Sequence, residues 1–176
     1  MTIREPALSD GESIRQIYLS AFNEEERELV ADFAIELLNT ETSPKSLHLV
    51  AEAGGLIVGH VSFSPVMVKD SHECIGYILA PLAVSPSHQN RGIASALVGG
   101  GLELVATTES IIVLVYGDPE FYGRFGFKQG LAKNYITPFQ LTFPLGWQAL
   151  ATGGSFAESE PVEIQCVEPL RNPKLW

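Results

Sequence analysis

Cysteine is scarce in this chain. Only Cys74 and Cys166 occur, and they form no C-x-x-C pair, which argues against a disulfide framework and a thiolate zinc site. Cations are also few: 11 Lys plus Arg stand against 21 Asp plus Glu, a net charge of −10. That balance disfavours nonspecific nucleic-acid binding and anionic membrane surfaces. No apolar run is long enough to span a bilayer. The opening stretch MTIREPALSD lacks the apolar core of a signal peptide, so a cytoplasmic protein is expected. Two phosphate-binding signatures are missing as well. There is no GxxxxGK[ST], and no GxGxxG with an acid about 20 residues further on. Repeats and long linkers are absent, so residues 1–176 read as a single domain.

What is present points to a globular α/β chain. Apolar residues make up 45% of its 176 residues and charged residues 18%, enough to build a sizeable core. Thr2–Arg4 reads as an edge strand. Asp10 or Ser9 can cap a helix to about Phe22, with Ile14, Ile17, Tyr18 and Ala21 on one face. Glu24–Asn39 reads as a second helix, striped by Leu29, Val30, Phe33, Ala34, Leu37 and Leu38. The runs Leu47–Ala53 and Leu56–Val68 flank Gly54-Gly55, a strong hairpin signal. Their histidines, His48 and His60, read as packed or solvent-facing. Glu73–Val84 is another extended run, and Pro81 prevents an unbroken ladder there.

A helix then starts near Gly92, with Ala94, Leu97, Val98, Gly101, Leu102 and Val105 at steps of three and four. Each glycine of its Gly99-Gly100-Gly101 costs roughly 1 kcal/mol relative to Ala, so close packing is expected to compensate. Ile111–Val115 is continuously apolar, as in a strand buried on both faces. Asp118-Pro119 opens a short helix that runs to Phe125 and stops at Gly126. Extended chain follows from Phe127, and the Pro- and Gly-rich tail from Pro138 is expected to hold one or two strands.

The chemistry concentrates after Leu82-Ala83-Val84. A polar turn follows, and Gln89-x-x-Gly92-x-Ala94 opens the next helix. The first amides of a helix lack intrahelical acceptors and carry partial positive charge, so they can hold a pyrophosphate. Small residues at Gly92 and Ala94 let phosphates approach the backbone, and Arg91 adds charge. Charge placement agrees: residues 86–133 have a net charge of zero, whereas residues 1–45 carry −6.

The stretch from Leu82 to Val98 resembles the signature turn of the GCN5-related N-acetyltransferases (GNAT), Gln/Arg-x-x-Gly-x-Gly/Ala after a V-x-P-x-x-Q turn. Further on, Gly117-Asp118-Pro119-Glu120-Phe121-Tyr122-Gly123-Arg124-Phe125-Gly126-Phe127 is similar to that family's FYxxxGF segment, and together the two resemble its bacterial YhbS-like subgroup. The resemblance implies a mixed, mostly antiparallel central sheet with one parallel, splayed strand pair, flanked by about four helices. The motif-bearing core spans about 2–130, and 131–176 supplies C-terminal strands and tail. It implies an enzyme that moves an acetyl group from acetyl-CoA to a primary amine by direct attack in a ternary complex, without a metal.

Residue by residue, the resemblance implies that Leu82, Ala83 and Val84 give backbone groups to the pantetheine arm, with the amide of Val84 or Leu82 polarising the thioester carbonyl. It implies that Gln89, Asn90, Arg91, Gly92, Ile93 and Ala94 cradle the pyrophosphate, with Ser95 adding its hydroxyl, and that Tyr122 protonates the leaving thiolate. Relatives often carry a glutamate on the fourth strand as base. Here that strand has an acid only at its start, Glu73, which leaves water chains, Asp118 or an acid among Glu24–Glu28 open as proton acceptors. That departure also keeps a non-catalytic acyl-CoA-binding or regulatory module as the alternative. The acidic N-terminal region favours a cationic small-molecule or peptide amine: a polyamine, an aminoglycoside-like compound or a lysine side chain. Members of the family often form homodimers through their C-terminal strands.

Overall fold

The computed structural model describes residues 1–153 and 160–176. Any part of the expected tail strands that falls on 154–159 lies outside the described residues. The strands β1 (Thr2–Arg4), β2 (Leu47–Ala53), β3 (Leu56–Val68), β4 (Cys74–Val84), β5 (Ile112–Tyr116), β6 (Tyr135–Ile136), β7 (Trp147–Ala151) and β8 (Val162–Cys166) form one mixed sheet. Its main path runs β1-β2-β3-β4-β5-β7. The pairs β1–β2, β2–β3, β3–β8 and β5–β7 are antiparallel, while β4–β5 and β6–β8 are parallel. The helices are α1 (Gly11–Ala21), α2 (Arg27–Asn39), α3 (Ile93–Val105), α4 (Pro119–Gly123) and α5 (Gln129–Ala132). This is the expected architecture, with one very short helix more than the four anticipated.

The residues group into two compact units. The first comprises Met1–Glu41, Ser46–Phe63 and Pro81–Leu104. Its hairpin turns at Gly54 and Gly55, both at positive φ (61° and 79°), the tight turn that suits a right-twisted strand pair. On one face of β2 and β3, helices α1 and α2 bury Ile14, Ile17, Tyr18, Ala31 and Ala34 with Val50 and Ala83. Asp10 stands at the start of α1, but its carboxylate accepts from the Ala7 amide and from Arg4 rather than from a helix amide. Arg4 also bonds Glu52, tying β1 to β2. Helix α2 begins at Arg27, not Glu24, because the Asn23 side chain accepts the Glu25 and Glu26 amides and makes a separate turn.

The second unit comprises Thr42–Lys45, Ser64–Ala80 and Val105–Trp176. Ile112, Val113, Leu114 and Val115 are all fully buried, as expected for a central strand. The parallel ladder of β4 with β5 ends at Leu79↔Val115, although β4 runs on through Pro81 to Val84. Helix α4 ends at Gly123, before the expected Phe125, and α5 stands where extended chain was expected after Phe127. Tertiary bonds hold this stretch: the Trp147 indole donates to the Ala132 and Tyr135 carbonyls, and Lys128 bridges to Ala149.

The three glycines of α3 are not equivalent. A Cβ at Gly101 would come within 2.0 Å of a ring carbon of Phe63, which is itself fully buried, whereas a Cβ at Gly99 would meet nothing within 4 Å. Gly101→Ala should therefore destabilise the protein by about 1–3 kcal/mol through overpacking. Gly99→Ala should stabilise it by up to about 1 kcal/mol through helix propensity. Chemical denaturation of both variants checks the contrast, and shifts of the same sign would refute this packing.

Candidate active site

The turn between β4 and α3 lies within the first unit. The register of β2 on β3 shifts between Ala51 and Glu52, leaving Val58 as the extra residue of a bulge. The Val58 carbonyl accepts the Ser85 amide at 2.9 Å, where the chain leaves β4. One turn of 3-10 helix (Pro86–His88) follows. The Gln89 side-chain amide then donates back to the Val84 carbonyl at 3.1 Å, bracing the turn across its mouth. Asn90 and Gly92 both adopt positive φ, 59° and 77°. Glycine takes that conformation without strain, and asparagine is the side chain that tolerates it best. The Gly92 carbonyl accepts the Ala96 amide, so α3 starts there and leaves the amides of Ile93, Ala94 and Ser95 without acceptors in their own helix.

Burial divides these residues by task. Gln89, Asn90, Arg91 and Gly92 are exposed, Ala94 and Ser95 half-buried, and Ile93 buried. The Ile93 and Leu97 side chains fill the space where a Cβ on Gly59 would stand, which seats the first turns of α3 on β3. Leu82 is half-buried, while Ala83 and Val84 are buried. All ten residues expected to bind the donor thus lie on one continuous strand–turn–helix segment. Its exposed rim carries one cation, Arg91, and a row of outward amides. Such an arrangement suits an anion that is reached by backbone rather than by many charged side chains.

Tyr122 belongs to the second unit. Asp118 caps α4, accepting the Glu120 amide with its side chain and the Tyr122 amide with its carbonyl. The Tyr122 ring meets Phe121 edge-on at 4.9 Å and Phe127 at 5.8 Å. Gly117 leaves room for it, because a Cβ there would approach the ring to 2.6 Å. Burial, and secondly the Asp118 charge, push the phenol pKa well above its ordinary value, so it holds its proton throughout the neutral range.

A further polar group stands inside the first unit. His60 is fully buried, and its Nδ1 lies 2.9 Å from the Tyr18 hydroxyl. Its Nε2 lies 3.4 Å from Ser62 Oγ, which is 2.8 Å from Nδ1 of half-buried His48. Burial, with the nearby His48 as the lesser cause, holds the His60 pKa down to about 3, so its ring is neutral. The sequence places these groups on two strands and a helix, and their meeting depends on the β2–β3 register. The one visible signal was a histidine in the middle of an apolar strand.

Among the described residues, no group of three or more His, Cys, Asp or Glu is placed to hold a metal ion, and no helix is long and apolar enough to cross a membrane.

Comparison with known proteins agrees with this geometry. Residues 44–129 match the "Acetyltransferase (GNAT) domain" family. The chain is 32% identical over 135 residues to the uncharacterized N-acetyltransferase YjhQ of Escherichia coli, covering 76% of this chain and 73% of that protein. It is 39% identical over 85 residues to the uncharacterized N-acetyltransferase YhbS of the same organism, spanning 47% of this chain and about half (50%) of that relative. The crystal structure of Escherichia coli YhbS in complex with CoA superposes with a TM-score of 0.79 at 26% identity, covering 97% of this chain and 92% of that one. A Brucella melitensis family acetyltransferase with acetyl-CoA superposes with a TM-score of 0.70 at 27% identity, covering 96% of this chain and 97% of that one. With the turn and these relatives in view, the chain belongs to the GNAT family of acetyltransferases.

Proposed function

We propose that this protein transfers an acetyl group from acetyl-CoA to a primary amine by direct attack within a ternary complex. The observation that carries the donor half is the braced turn from Val84 to Ser95 with its outward amides. Crystal structures of similar proteins contain CoA and acetyl-CoA, which supports the same ligand here. In this reading Gln89, Asn90, Arg91, Gly92, Ile93, Ala94 and Ser95 hold the pyrophosphate. Gln89 contributes its backbone, since its side chain bonds Val84. Leu82, Ala83 and Val84 line the pantetheine arm, and an amide from this segment polarises the thioester carbonyl, a form of preorganised charge stabilisation.

Tyr122 serves the leaving group. A thiol of pKa near 8.5 departs as thiolate, and a phenol whose pKa is raised has kept its proton for that moment. The acceptor amine is mostly protonated at neutral pH and must lose a proton first. The acidic α1–α2 region (Glu24, Glu25, Glu26 and Glu28) supports a cationic acceptor, and we place the protein in the cytoplasm. A binding module without transfer is the competing reading, favoured by the absence of a carboxylate within β4.

Titration with acetyl-CoA and CoA release with a panel of amines tests both readings together. The transferase reading expects binding and release, and the module reading expects binding alone. Tyr122→Phe should lower kcat by about 10- to 100-fold while the Kd for acetyl-CoA stays within about twofold; unchanged turnover would remove Tyr122 from the mechanism. Gly92→Ala imposes a positive φ on a side chain, a strain of about 1 kcal/mol or more. Calorimetry should then show acetyl-CoA binding weakened several-fold, and an unaltered Kd would count against the turn as the anion site.

A further inference from the structure

The transferase reading asks Tyr122 to hold its phenol where a leaving sulfur can take the proton. A positioned group displaced by about 1 Å loses on the order of 100-fold in rate, so whatever fixes Tyr122 bears on catalysis. Its own helix is too short to do so. Helix α4 has five residues, Pro119–Gly123, and Tyr122 is the fourth of them. That helix hangs from Gly117 and Asp118, where the chain leaves β5. The Asp118 carbonyl accepts the Tyr122 amide, and the ring lies against Gly117, where a Cβ would approach it to 2.6 Å. The place of Tyr122 therefore follows the place of Gly117.

One buried side chain reaches Gly117. Gln148 stands opposite Val115 in the β5–β7 ladder and is 1% exposed, between buried Trp147 and Ala149. Its side-chain nitrogen donates to the Gly117 carbonyl and to the Gly146 carbonyl, at 3.4 Å each. A primary amide carries two N–H donors, so one group serves both. The Gly146 carbonyl also accepts the Gly117 amide at 3.0 Å. Gly117 is thus tied to the start of β7 through both its N–H and its C=O. The seat has little slack, because a Cβ on Gly146 would stand 3.0 Å from the Gly117 carbonyl oxygen. All these residues belong to the second unit. Burying a primary amide costs free energy that Leu or Met would avoid. The ladder with β5 does not call for it either, since ladder bonds are main-chain. What glutamine adds at this position is the pair of donors.

We infer that Gln148 is a positioning residue for acetyl transfer: it fixes Gly117, and through Gly117 the phenol of Tyr122. This deepens the transferase reading and rests on it. In the step it serves, the C–S bond of the thioester breaks and its electron pair moves onto sulfur. The Tyr122 O–H bond breaks as its proton forms the S–H bond of CoA. The acceptor ammonium releases two protons to water as its nitrogen bonds the carbonyl carbon, and the phenolate takes one back from water. The sum is acetyl-CoA plus ammonium giving amide, CoA thiol and one proton. Gln148 touches none of the reacting atoms and exchanges no proton.

The test measures CoA release with spermidine, kanamycin and a lysine-containing peptide, alongside acetyl-CoA Kd and melting temperature. Gln148→Leu keeps a similar volume and removes both donors. The Gly117 carbonyl then has to find another donor, and the loop moves with it. Its kcat should fall about tenfold while the acetyl-CoA Kd stays within about twofold. The decisive comparison repeats Gln148→Leu on Tyr122→Phe, which has no proton left to position. There it should change kcat by less than about twofold. Gln148→Glu has nearly the same shape, and only its protonated form can donate to a carbonyl. Its deficit against wild type should shrink as pH falls and the buried acid takes up a proton, whereas the deficit of Gln148→Leu should not. If Gln148→Leu does not fold, Gln148→Glu carries the same comparison. A folded Gln148→Leu variant within about twofold of wild type overturns the inference. So does an equal loss in both backgrounds, because a merely structural role weakens every variant alike. With wild type active, either result leaves the transferase reading standing. If wild type binds acetyl-CoA but releases no CoA with any of the three amines, the transferase reading falls and this inference with it.

Discussion

Three amides at the start of α3, those of Ile93, Ala94 and Ser95, have no acceptor inside their own helix. Much of the first unit is arranged around leaving them so. The bulge at Val58 turns a carbonyl toward Ser85, Gln89 closes the turn onto Val84, and Gly92 supplies the backbone conformation that lets the helix begin one residue later. Gly59 then lets Ile93 and Leu97 sit directly on the sheet. None of these contacts is strong. Together they fix the direction in which a row of partial positive charges points, which a polyphosphate can use without a cluster of lysines. An acidic protein with a net charge of −10 can therefore still present a local anion site.

The elements legible from the sequence were those whose signal is local. The strands β1, β2 and β3 stand where their apolar runs and Gly54-Gly55 placed them, and Asp118 caps α4 as an aspartate before proline suggests. The start of α2 was misread because Asn23 diverts two amides into a separate turn. The stretch just after Phe127 was misread for a different reason: α5 stands where extended chain was expected, held through Trp147, Lys128 and Ala149 across long sequence separations, whereas β7 and β8 are the two strands expected of the tail.

The same distinction runs through the site. The residues proposed to hold the donor lie on one stretch of chain, so a motif could point to them, and the glycine at position 92 does have the positive φ its place implies. The bracing contacts were invisible, since Val58 and Gly59 carry no sign of their role in a strand read alone. The buried histidine chain was invisible for the same reason. His48 and Ser62 meet because β2 and β3 pair in one register, and Tyr18 joins them only when α1 lies on that face. Chemistry assembled by register has no linear signature.

The central claim is that the turn from Val84 to Ser95 binds the pyrophosphate of acetyl-CoA. Comparing acetyl-CoA with S-acetylpantetheine by calorimetric titration probes that contact, since the second ligand keeps the thioester arm and lacks the pyrophosphate together with the phosphorylated adenosine it carries. Two or more charge-assisted hydrogen bonds are worth about 3 kcal/mol or more, so acetyl-CoA should bind with one-to-one stoichiometry and about 100-fold or more tighter. Equal affinity for the two ligands, or no binding of acetyl-CoA, would contradict the account.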